Sequence, residues 1–107
     1  MNDLAIYELQ ANLCHAMSHP LRQQILHILF EEPKTVNEIA AEMNLGQSIV
    51  SRHLAVLRQN GIVGTQRNGQ EIIYHVANPK IAEVCSLMRG VLIEQVKEKT
   101  RLIQEFK

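Results

Sequence analysis

The stretch from Pro33 to Pro79 is cut at short intervals by chain-breaking signals, and this spacing restricts the fold more than any other feature of the sequence. Pro33, Asn44-Leu45-Gly46, Gly61, Asn68-Gly69 and Pro79 leave room only for short elements between them. Thr35-Val36-Asn37-Glu38 opens the first piece with a reciprocal capping pattern: Thr35 can cap a helix and Glu38 can return a hydrogen bond, ahead of Ile39, Ala40 and Met43. The next piece, about Gln47 to Asn60, sets Val50, Leu54 and Leu57 on one face with Ile49 and Val56 at its margins, and Gly61 supplies a left-handed cap. The period then changes. Segments 62–66 and 71–76 read as two strands joined around Asn68-Gly69, a dipeptide suited to a tight hairpin turn. Such a ribbon is too small to stand without helices behind it.

Two helical segments precede this region and one follows it. Leu4 to about Met17 carries Leu4, Tyr7, Ala11 and Cys14 at helical spacing, widened by Ile6, Leu9, Leu13 and Met17. Ser18 and Pro20 mark a restart, with Ser18 placed to cap; Leu21, Ile25, Ile28 and Leu29 form the inward stripe of the second helix, which Pro33 closes. Asn78 can cap and Pro79 begin a last helix bearing Ile81, Val84, Cys85, Met88, Leu92, Val96, Ile103 and Phe106. At about 1.5 Å per residue that helix reaches roughly 40 Å, as long as the body it grows from. An apolar stripe of this length needs a cover, and Val91, Leu92, Ile93 and Val96 together with the first helix predict a homodimer. Gly90 within it reads as a tolerated glycine or as a point of close helix approach.

The expected fold is therefore mainly α with a two-stranded β wing: a winged helix-turn-helix ordered α-α-α-α-β-β-α, dimerising through its first and last helices. Residues 1–107 form a single domain, with 4–17 and 79–105 as dimerisation helices, 35–60 as the helix-turn-helix and 62–76 as the wing.

Bulk charge adds little, since 11 Lys and Arg balance 11 Asp and Glu. The distribution is more informative: between Gly46 and Gln70 the charged groups are Arg52, Arg58 and Arg67, without an acid. This local positive face fits duplex DNA. The inward residues of the fourth helix fix its orientation, and Gln47, Ser48, Ser51 and Arg52 stand near its start, where backbone N–H groups favour phosphate. Gln pairs with adenine and Arg with guanine in the major groove, and Ser serves several partners, although the same groups also hold phosphates. His53 has two readings, a hydrogen-bonded structural imidazole or a phosphate contact. Arg67, Asn68 and Gln70 project from the wing toward phosphate or the minor groove. Arg58, Arg22 and Lys34 are weaker phosphate candidates. Two such modules related by a two-fold axis would match half-sites roughly 34 Å apart.

The segments "MSHPLRQQILHIL", "TVNEIAAEMNLGQSIVSRHLAVLRQNGIV" and "RNGQEIIYHVANP" resemble the ArsR/SmtB family of bacterial winged-helix repressors over about residues 10 to 95. The resemblance implies a homodimeric repressor released from operator DNA by a metal, metalloid or other inducer. It places the recognition helix at about Gln47 to Asn60 and the wing tip at Arg67 to Gln70. The family's arsenic-sensing cysteines have no counterpart, because Val36-Asn37-Glu38-Ile39 stands there. Its interfacial zinc ligands are replaced by Asn78, Lys80, Val91 and Glu94, of which only Glu94 is an oxygen ligand of the usual kind. Its thiol sensors pair a second-helix cysteine with one in the last helix; here His27 occupies the former place and Cys85 lies earlier than the latter.

Cys14 and Cys85 are too far apart in sequence for a C-x-x-C motif or a zinc knuckle. They are candidate sensor residues if the first and last helices bring them together, with oxidation or reactive sulfur as the signal. A metal or metalloid site recruiting His15 or His19 and purely structural thiols are the alternatives. No resident cofactor or metal is expected. An unidentified small inducer or oxidant joins operator DNA and the second protomer as a partner. A winged-helix protein-interaction module without specific DNA binding is the competing class. An enzyme is not expected, because Cys14 and His15 diverge as helix neighbours and lack an accompanying acid or oxyanion donors. Met1 is followed by Asn2 and Asp3, and no apolar run approaches a bilayer span, so a cytoplasmic protein without membrane contact is expected.

Overall fold

The computed structural model describes residues 3–106. Its elements are α1 (Asp3–Ala16), α2 (Pro20–Glu31), β1 (Lys34–Thr35), α3 (Val36–Met43), α4 (Gln47–Gln59), β2 (Val63–Asn68), β3 (Glu71–Val76) and α5 (Lys80–Glu105). Ile25 and Leu26 of α2, Ile39 of α3, Val50, Leu54 and Leu57 of α4, and Ile62 are fully buried and make the centre of the core. Ala16 and Met17 plug it from the end of α1, while Tyr74 and Val76 close it from the base of the wing.

The caps position these helices. At the start of α3 the Thr35 hydroxyl accepts from the Glu38 N–H at 3.2 Å, and the Glu38 carboxylate accepts from the Thr35 N–H at 2.9 Å, the reciprocal pair expected from the sequence. Those two bonds hold the Glu38 carboxyl below its usual range. Asn44, with φ of 55°, ends α3: its own N–H reaches the Ala41 carbonyl and the Leu45 N–H reaches that of Ala40. Gly61, with φ of 71°, ends α4 in the same manner, its N–H on the Arg58 carbonyl and the Ile62 N–H on that of Leu57. Each stop satisfies the last carbonyls and drives the next apolar residue, Leu45 or Ile62, inward.

The expected cap of α2 is corrected. His19, not Ser18, is the N-cap of α2: its Nδ1 accepts from the Leu21 N–H at 3.0 Å, while the Ser18 hydroxyl donates to the His15 carbonyl at the end of α1. The two-stranded wing forms from β2 and β3 as expected, and a short third strand joins it beside β3. Lys34 and Thr35 pair antiparallel with Tyr74 and Ile73, giving a three-stranded sheet in the order β1-β3-β2. Pro33 forces the chain out of α2 in an extended path, and the free side of β3 takes up its backbone groups.

The hairpin runs in register from Val63↔Val76 to Asn68↔Glu71, so its two turn residues are Gly69 and Gln70. Only Gly69 takes a positive φ, 64°, at the first central position. Near the base, Gly64 faces His75, and a Cβ on Gly64 would lie 2.8 Å from the imidazole Nε2.

α1 and α5 stand apart from this body. Ile81 and Cys85, near the start of α5, pack on the core, but no residue of α5 is fully buried. On α1 every residue from Ile6 to His15 is exposed. Among the described residues, no helix is long and apolar enough to cross a membrane.

Candidate nucleic-acid interface

The buried stripe Val50, Leu54 and Leu57 holds α4 against the core and turns its opening residues outward. Gln47, Ser48 and Arg52 are exposed, and Ser51 is half-buried. The N-cap is Gly46, which offers no side-chain acceptor, so the first N–H groups of α4 have no capping side chain. Such a helix start favours an anion.

Across from it, Arg67, Asn68 and Gln70 are exposed at the wing tip. The two features share one cleft of about 270 Å³, lined by Gln47 of α4, Gln70, Glu71 and Ile72 of the wing, and Thr35, Val36 and Asn37 at the start of α3. Asn37 and Ile72 were not among the residues singled out from the sequence. The capping box at Thr35 marked the place of Asn37, but no local pattern indicated that Ile72 would remain exposed at the edge of the cleft.

His53 lies on the flank of α4, half-buried. Its Nδ1 accepts from Arg22 Nε at 3.2 Å, and its ring stands 4.5 Å, centroid to centroid, from that of His19. Burial pushes its pKa below the usual imidazole value, and the neighbouring His19, Arg22 and Arg52 act in the same direction. This arrangement supports the structural reading of His53. Two weaker phosphate candidates have internal partners: Arg22 donates to His53 and, at 3.3 Å, to the Ala16 carbonyl, while Lys34 pairs with Glu32 at 2.9 Å. Arg58 is exposed.

The cysteines occupy different surroundings. Cys14 is an exposed thiol on α1. Cys85 is half-buried in a cleft between α2 and α5, beside His27, Phe30, Met88 and Arg89, and burial pushes its thiol up while Arg89 opposes the shift. Both are free, and Cys14 does not line that cleft. Among the described residues, no three His, Cys, Asp or Glu side chains gather as a metal site.

Residues 19–65 match the family model "Bacterial regulatory protein, arsR family". The whole chain aligns with 95% of the uncharacterized HTH-type transcriptional regulator Rv0081 of Mycobacterium tuberculosis at 32% identity. The crystal structure of Rv0081 superposes with a TM-score of 0.82, covering 94% of this chain and 99% of that one. A biofilm growth-associated repressor of Xylella fastidiosa is 34% identical over 82% of this chain and 77% of its own length. The solution structure of Mb0332 from Mycobacterium bovis, described as a homodimeric winged helix-turn-helix DNA-binding domain, matches with a TM-score of 0.83 at 25% identity, over 92% of this chain and 93% of that one. These likenesses agree with the helix, turn, helix and wing laid out above. The chain belongs to the ArsR family of bacterial regulatory proteins, and is a winged helix-turn-helix transcriptional regulator.

Proposed function

We propose that this chain is a cytoplasmic homodimeric repressor that grips operator DNA with the start of α4 and the wing, and releases it when an inducer acts. The observation that carries the reading is the shared cleft, because Gln47 of α4 and Gln70 of the wing line it together. A major groove entered by the first turns of α4 would then have the wing beside it. Ser48, Ser51 and Arg52 supply base or phosphate contacts, the uncapped N–H groups of α4 supply phosphate contacts, and Arg67 and Asn68 reach the backbone from the wing. A second protomer adds an equal set, which offsets the small number of contacts that one neutral module makes.

Replacing Arg52 by Ala tests the assignment. Operator affinity is expected to fall about tenfold or more, the cost of one good base or phosphate contact, while the dimer persists. Unchanged affinity across a salt titration contradicts the role.

The finer reading concerns the signal. Cys14 and Cys85 sit on the two helices that carry the exposed apolar faces, so a change at either thiol acts on the dimer contact. A peroxide-class oxidant would take two electrons and two protons as the thiols join in a disulfide, shifting the population of dimers whose two heads fit the operator. The exposed Cys14 is the expected first point of attack, since burial keeps Cys85 in its thiol form. Intact-mass measurement paired with a DNA-binding assay is expected to show the loss of two hydrogens together with weakened binding. The same mass and affinity before and after oxidation reject the thiol reading.

A further inference from the structure

The cluster around His53 has a composition that a purely structural contact does not require. His53 lies on α4, His19 caps α2, Arg22 comes from the first turn of α2, and Arg52 precedes His53. Each charged or titratable group acting on His53 is basic: His19, Arg22 and Arg52. Of these groups Arg22 and Arg52 carry full positive charge, and an anion placed beside them relieves the repulsion between like charges. A metal cation would face the two guanidinium groups and is disfavoured for the same reason.

The hydrogen bonds fix the chemistry further. The Nδ1 atoms of both rings are occupied as acceptors, His19 from the Leu21 N–H and His53 from Arg22 Nε. A neutral imidazole that accepts at Nδ1 carries its proton at Nε2. Both rings are therefore N–H donors at Nε2, on neighbouring rings 4.5 Å apart. Arg22 and His53 are half-buried and held in place, whereas His19 and Arg52 are exposed and can be reached from solvent. The N-terminal end of α2, with its positive partial charge, adds to the same spot.

We propose that His19, Arg22, Arg52 and His53 form a phosphate-binding cluster that takes one backbone phosphate of the operator duplex on the flank of α4. This rests on the DNA-binding reading and deepens it: it adds the start of α2 to an interface otherwise drawn from α4 and the wing. It also gives His53 both of its readings at once, since the bond from Arg22 orients the ring that donates to the phosphate. A free phosphate would satisfy the same donors, but the position of His53 next to Arg52 on α4 favours the duplex.

The test neutralises the backbone phosphates of a duplex selected by the wild-type protein, one at a time, as methylphosphonates. The wild type is expected to lose about two- to tenfold in affinity at one position per half-site, the worth of a hydrogen bond or two. His19→Ala, at an exposed ring whose loss leaves the core untouched, is expected to be weaker by a similar factor and to lose nothing further at that position. His53→Asn is expected to lose the same sensitivity; should it fail to fold, His19→Ala carries the test alone. Equal losses for wild type and His19→Ala at every position overturn the cluster while leaving DNA binding intact. A wild-type protein that selects no duplex overturns the DNA-binding reading and this inference with it. Titration with inorganic phosphate, followed on the imidazole ring protons, separates the sources: saturation by free phosphate without a position-specific loss on DNA overturns the duplex assignment.

Discussion

Arg22 connects three segments through one side chain. It belongs to α2, donates to the Ala16 carbonyl at the end of α1, and donates to His53 on α4. The second bond requires a neutral imidazole, because a protonated Nδ1 cannot accept. His53 is held below its ordinary pKa of about 6.5 by burial first and then by His19, Arg22 and Arg52. The unfolded chain therefore takes up the proton before the folded one does. The stability contributed by this contact is present above about pH 6.5 and is lost as the pH falls through the lowered folded value. Thermal unfolding of the wild type between pH 7.5 and 5.5 is expected to show a larger loss of stability than that of His53→Gln; equal losses contradict the linkage. At this scale the sequence was only partly legible. The Thr35 and Glu38 caps follow a local rule that can be read from four residues, and the structure contains both bonds. The contact between Arg22 and His53 spans 31 positions and depends on how α2 meets α4, which no local pattern encodes. The cap at His19 was hidden because Ser18 beside it is the commoner capping residue.

Among the elements, the helices were the most readable and the strands the least. Val50, Leu54 and Leu57 face inward as their spacing predicts, because an amphipathic helix fixes its buried side by itself. β1 could not be seen in advance: two residues after a proline carry no alternation, and they become a strand only because β3 presents an open side. The hairpin was legible in place but not in register. Gly69 and Gln70, rather than Asn68 and Gly69, form its turn, and only Gly69 needs a positive φ. Gly69→Ala is accordingly expected to cost about 1 kcal/mol of stability through the added Cβ. It is also expected to lower operator affinity as the wing tip loosens, with chemical denaturation and a binding isotherm as the measurements. A variant with wild-type stability and affinity contradicts the view that the glycine sets the wing. The last helix is the opposite case, since its length was evident from sequence, yet within one protomer its apolar stripe is covered only near its start.

The whole molecule is long and thin for its size, 61 × 42 × 21 Å, because α1 and α5 extend beyond the core. These two helices expose large apolar side chains, among them Tyr7 at 68%, Leu87 at 73%, Val91 at 54% and Val96 at 54%. Burying one such side chain is worth about 1.5–3 kcal/mol, so a surface of this kind is stable in water only when covered. In the proposed homodimer a second copy would cover it and bring a second α4 helix to the same duplex. The central claim is that this pair, not the single chain, is the DNA-binding unit. Sedimentation equilibrium of the wild type and of Val91→Glu, each mixed with a duplex carrying two half-sites about one helical turn apart, tests it most directly. The account predicts two wild-type protomers per duplex, and a Val91→Glu chain that is monomeric and binds at least tenfold more weakly. A single wild-type protomer held on the duplex at full affinity, or a monomeric Val91→Glu chain that binds as tightly as the wild type, contradicts it.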